Sequence, residues 1–129
     1  MGLFNRILGS KLKEENKSMV NWVSFNSLNQ IETIKEQSKS ETIFIFKHST
    51  RCGISSIVMK RFENSFNSSM KNVKVYYLDL LSFRSLSDEV GYSFQVQHQS
   101  PQLLIIRNEV AVKYESHYDI TSVNIQKYL

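Results

Sequence analysis

Thr42-Ile43-Phe44-Ile45-Phe46 is a run of β-branched and aromatic side chains without polar alternation. A central strand reads this way when both faces of its sheet are covered. It gives way to a polar turn, Lys47-His48-Ser49-Thr50-Arg51-Cys52. The spacing of Ile54, Ile57, Val58, Phe62 and Phe66 then predicts a helix with one broad apolar face. Upstream, Val20 to Phe25 alternates weakly, as an edge strand does. Ser27 can cap a helix to about Lys39 that carries Leu28, Ile31 and Ile34. Downstream, Val73 to Leu80 is a second β-rich run, closed by Asp79. A short helix is expected from Ser85 to Phe94, weakened by Gly91, and Leu103 to Arg107 is a third strong strand. Glu109 opens a tight reversal into Val110 to Glu115. A last helix is expected from Asp119, its cap, carrying Ile120, Val123 and Tyr128. The order β-α-β-α-β-α-β-β-α implies an α/β fold with a mixed central sheet and helices on both faces.

The chain has 129 residues, of which 41% are hydrophobic, enough for one globular domain. Residues 20–129 form that domain. Residues 1–19 read as a tail in which Leu3, Phe4, Ile7 and Leu8 could line a short helix, marginal by itself. The net charge of +4 divides evenly between tail and domain, with no basic stripe interleaved with aromatics. No nucleic-acid partner is therefore expected. No apolar run approaches the roughly 20 residues of a membrane span, and the expected location is cytoplasmic. Gly2 follows Met1, but Arg6 breaks the myristoylation pattern.

Cys52 is the single cysteine, so an internal disulfide is excluded and any redox chemistry is intermolecular. A lone cysteine is commonly a small buried hydrophobe. Cys52 differs by position: it follows a core strand and opens a helix, where unpaired amides and the helix dipole favour negative charge. Arg51 is adjacent, and Lys47 and His48 share the turn; cations beside a thiol favour the reactive thiolate. The alternative for Arg51 and Lys47 is plain solvated charge. Thr50 either shapes the turn or meets a ligand. Ser55 stands three residues on, where dithiol enzymes keep a resolving cysteine. It either donates to the thiolate or satisfies first-turn backbone. Pro101, the only proline, immediately precedes a core strand, the place a sheet tolerates one.

Three segments together resemble a known family. They are Phe46-Lys47-His48-Ser49-Thr50-Arg51-Cys52-Gly53-Ile54-Ser55, then His98 with Ser100-Pro101-Gln102, then Ser116-His117-Tyr118-Asp119-Ile120-Thr121. The combination is similar to the monothiol bacilliredoxins, the YtxJ-like proteins of the thioredoxin-like superfamily, over about residues 20–129. The resemblance implies a thioredoxin-like fold with an extra N-terminal strand and helix. It also implies a cis Ser100–Pro101 bond facing the nucleophile, which frees the Ser100 backbone to pair with an extended substrate. Bacillithiol, a low-molecular-weight thiol, is the implied co-substrate, and bacillithiolated client proteins are the implied partners. Cys52 would take bacillithiol from a client, and a second bacillithiol would release it. His98 and His117 fall in matching segments, either as imidazoles serving the thiol or its ligand, or as structural histidines. Gly53 departs from the proline common in the family at that place and keeps an N–H that proline lacks.

Other classes make different demands. Cys-Gly-x-Ser also occurs in monothiol glutaredoxins that share an iron–sulfur cluster with glutathione. Here Ile54 replaces their usual phenylalanine, and Tyr114 to Asp119 stands where they carry paired glycines. A thioredoxin-like module that only docks a partner would need no reactive Cys52. A zinc site from Cys52 with His48, His98 or His117 lacks a ligand pair at diagnostic spacing, and no metal is expected.

Overall fold

The computed structural model describes residues 18–129. The expected short helix at Leu3 to Leu8, and most of the expected tail, lie outside the described residues. The elements are β1 (Asn21–Ser24), α1 (Gln30–Gln37), β2 (Ile43–His48), α2 (Gly53–Asn64), β3 (Lys74–Asp79), α3 (Arg84–Phe94), β4 (Gln102–Arg107) and β5 (Val110–Ser116). Short 3-10 turns occupy Ser68–Met70, His117–Ser122 and Ile125–Tyr128.

One five-stranded mixed sheet runs in the order β1-β3-β2-β4-β5. β1 and β2 flank β3 in parallel, while β4 lies antiparallel to β2 and β5 to β4. Every residue of β2 is buried, as its unbroken apolar run requires. Alternate side chains of β2 supply two cores. Ile43 and Ile45 pack with Ile31 and Ile34 of α1 and with Leu86, Val90 and Phe94 of α3. Phe44 and Phe46 pack with Val58 and Phe62 of α2, and with Ile120 and Ile125 beyond β5. Helices on both faces and an N-terminal edge strand thus match expectation.

Four local expectations are corrected. β2 runs two residues further, so Lys47 and His48 are strand residues rather than turn residues. Burial on α2 falls on Ser55, Val58 and Phe62, leaving Ile54 and Ile57 exposed. Leu28 is likewise exposed, and α1 starts after Asn29 rather than Ser27. No side chain caps the helix; the Gln30 side chain instead accepts from the amides of Asn26 and Ser27, ahead of it. The last α-helix is replaced by two 3-10 turns, and no side-chain bond from Asp119 caps either. Val123 ends the first turn in an extended conformation, which breaks the helix the spacing suggests.

Two glycines answer differently to substitution. α3 ends with Gln95 in the left-handed region, while the Val96 amide bonds back to the Gly91 carbonyl at 3.0 Å. This is the hydrogen-bond pattern of a Schellman stop. A Cβ on Gly91 would come within 2.9 Å of the Val96 carbonyl oxygen, whereas one on Gly53 meets nothing within 4 Å. Gly91→Ala should cost about 1–3 kcal/mol through backbone displacement. Gly53→Ala should add about 0.5–1 kcal/mol by restricting the unfolded chain. Urea midpoints of the two variants check both signs.

Candidate functional site

Three chain segments meet at one end of the sheet because of its register. β2 and β3 run parallel and finish side by side, His48 opposite Asp79. β4 starts there, with Gln102 opposite Lys47 on one side and Ser116 on the other. Cys52 therefore follows the end of β2, Pro101 precedes the start of β4, and His117 follows the end of β5. The Ser100–Pro101 bond is cis, and Pro101 is buried. The His117 amide donates to the Pro101 carbonyl at 3.0 Å. His117 thus joins the site through its backbone, at φ 55°, with its side chain exposed.

Cys52 is the N-cap residue of α2 and is half-buried. Its amide closes a turn onto the Ser49 carbonyl at 3.1 Å, and its carbonyl accepts the first helical bond from Ser56. The first turn of α2 holds no acidic residue, so nothing there offsets the positive end of the helix. Thr50, Arg51 and Gly53 are exposed around it. Arg51 stays at the mouth, while Lys47 and His48 point into the protein on opposite faces of the sheet.

Ser55 is fully buried and engaged away from the thiol. Its Oγ accepts from the Ser49 amide at 3.1 Å and lies 2.7 Å from Nδ1 of His48. A hydroxyl both donates and accepts, so this bond serves either imidazole tautomer. Ser55 thus satisfies backbone at Ser49, with His48 as its second partner. Burial lowers the His48 pKa, against the opposing carboxylates of Asp79 and Glu63.

On the other face Lys47 is fully buried, and no carboxylate lies within salt-bridge distance of it among the described residues. Nζ donates to the Ser87 carbonyl at 3.1 Å and to Nδ1 of His98 at 3.2 Å. The Ser87 hydroxyl lies 3.1 Å from the same Nδ1. Burial lowers the Lys47 pKa to about 8, opposed by Asp88 and aided by Arg84. Burial also lowers that of His98, with Lys47 and Arg84 adding to the effect and Asp88 opposing it. His98 thus binds Lys47 and Ser87, on the sheet face that α3 covers. Gln102, almost wholly buried, donates to the Gln97 carbonyl at 3.0 Å and has its Oε1 unpaired; Ser100 Oγ is also buried and unpaired.

Lys47, Ser87 and Gln102 belong to this polar region beyond the residues expected at the site. A usable signal existed: period-two alternation from Ile43 and Ile45 continues onto Lys47. Among the described residues no cluster of three or more His, Cys, Asp or Glu is placed to hold a metal ion, and no helix is long and apolar enough to cross a membrane.

Residues 23–125 match the family described as Monothiol bacilliredoxin BrxC. A thioredoxin-fold protein proposed to be an oxidoreductase is similar at a TM-score of 0.69 and 29% identity, over 81% of this chain and 91% of that one. Thioredoxin from Malassezia sympodialis aligns at 0.67 and 17% identity, over 87% and 92% of the two chains. Thioredoxin from Schistosoma mansoni aligns at 0.64 and 18%, over 88% and 100%. The last two likenesses show the fold alone, which is that of thioredoxin.

Proposed function

The chain belongs to the monothiol bacilliredoxin family, and from that premise we propose that it is a thiol–disulfide oxidoreductase that removes bacillithiol from client proteins through Cys52. The observation that carries this reading is the placement of the one cysteine. It is the N-cap residue of α2, at the sheet end where the cis Ser100–Pro101 bond and the Ser116–His117 backbone also lie.

The chemistry balances with one protein thiol. The Cys52 thiolate attacks the bacillithiol sulfur of a client mixed disulfide. A new S–S bond forms on Cys52, the old one breaks, and the client thiolate leaves and takes up a proton from water. A second bacillithiol thiolate then attacks the bacillithiol sulfur on Cys52. Bacillithiol disulfide departs and Cys52 returns as thiolate. One mixed disulfide and one free bacillithiol thus become one client thiol and one bacillithiol disulfide, an exchange that needs no further reductant. The positive end of α2 stabilises Cys52 both as attacking and as departing thiolate. The cis-proline segment offers the Ser100 backbone to an extended client chain, in the manner of strand addition.

Incubation with bacillithiol disulfide, and separately with glutathione disulfide, followed by intact mass, tests the reading. A single fast bacillithiol adduct on Cys52 with a slower glutathione adduct is the expected result. Equal, slow labelling by both would overturn it.

A further inference from the structure

The polar cluster on the α3 face has no part in the cycle above. Lys47 occupies the third inward position of β2 after Ile43 and Ile45, in the same apolar core. A buried ammonium without a carboxylate partner is costly, and an aliphatic residue would suit the surroundings better. Its two bonds go to α3, through the Ser87 carbonyl, and to His98. His98 lies three residues before Pro101, in the segment that joins α3 to β4. Gln102, Lys47's partner across the β2–β4 ladder, holds the same segment at the Gln97 carbonyl. The Gln97–Ser100 segment is therefore fastened at its start by two polar residues of the central strands. At its far end is the cis-proline step that faces the client in the proposed function.

We infer that Lys47, acting through His98, is a positioning residue that holds the Gln97–Ser100 segment and so fixes the docking edge for the bacillithiolated client. It touches neither thiol nor client. This inference rests on the proposed reading for its kinetic consequence, but not for its structural one.

The test uses Lys47→Met, which keeps length and fits the apolar core, with His98→Ala as a second variant at a half-buried position. Removal of bacillithiol from a client protein is measured with alkylation of Cys52 by iodoacetamide as the control. KM for the client should rise about tenfold in Lys47→Met, with kcat and alkylation rate held within roughly twofold. His98→Ala should do the same, and the double variant should lose no more than either alone. Amide order parameters of Gln97 to Ser100 should fall in both variants. Unchanged order parameters in a folded Lys47→Met protein would overturn the inference. So would additive losses, or equal losses of kcat and alkylation. A wild-type protein inert toward mixed disulfides would sink the proposed function alone, since the order parameters still decide the role of Lys47.

Discussion

Cys52→Ser will reduce the release of bacillithiol from a client to the uncatalysed background, and the variant will be more stable than the wild type. The first half follows from composition: there is no other cysteine to form a mixed disulfide, and a hydroxyl cannot replace one. The second follows from the cap. Cys52 stands at the N-cap of α2 in an extended conformation, φ −103° and ψ 118°, and its side chain makes no capping bond. Serine is among the preferred residues there, because its oxygen accepts from an amide of the first turn. A gain of about 1 kcal/mol is expected, seen as a melting temperature a few degrees higher. Intact-mass kinetics on a bacillithiolated client and a thermal scan check the two halves separately. Turnover retained by Cys52→Ser would sink the proposed mechanism. A lower melting temperature would show that the thiol contributes packing the N-cap geometry does not reveal.

Lys47→Met will raise stability at pH 7 by roughly 2–3 kcal/mol, even as it weakens client binding. Burial lowers the Lys47 pKa in the folded protein to about 8, against 10.4 in an unfolded chain. Below pH 8 both states hold the proton, and the folded state bears the whole cost of a buried cation, about 3 kcal/mol. Between the two values the unfolded chain binds more protons, so wild-type stability climbs as pH rises. The Met variant has no such term. Denaturant midpoints of the two proteins should therefore converge from pH 7 to pH 9.5, a range that stops short of the raised tyrosine ionisations of Tyr76 and Tyr77. Losing the ammonium strands neither acceptor: Ser87's carbonyl lies inside α3, where a helical amide serves it, and His98 Nδ1 keeps the Ser87 hydroxyl. A gap between the proteins that stays constant with pH would show that Lys47 is not the titrating group.

The elements that could be read from the sequence are those whose pattern is set by burial on both faces. Thr42 to Phe46 and Leu103 to Arg107 have no polar interruption, and both are central strands. The Cys52 position was legible for the same reason, since a core strand followed by an apolar-faced helix fixes where the turn must lie. The errors share another cause. Lys47 and His48 read as a turn because they are polar, yet each is buried against a partner distant in sequence: Lys47 against Ser87 and His98, His48 against Ser55. Long-range pairing of that kind names no partner in the local sequence; only the period-two register of β2 puts Lys47 on the face of Ile43 and Ile45. Ile54 and Ile57 fit a helical stripe but lie on the open side of α2, because burial there falls on Ser55, Val58 and Phe62. The C-terminal segment has apolar residues at helical spacing, yet Val123 turns extended, a backbone choice set by tertiary packing.

Ser55 occupies the place of a second thiol and is tied to His48 and the Ser49 amide. A dithiol enzyme clears its own adduct at a rate independent of its surroundings. In the proposed cycle this chain has no internal exit, so the lifetime of the Cys52 adduct is inversely proportional to the concentration of free bacillithiol outside it. When that pool is depleted, modified protein accumulates, and the fraction of Cys52 carrying an adduct becomes a record of how far the pool has fallen.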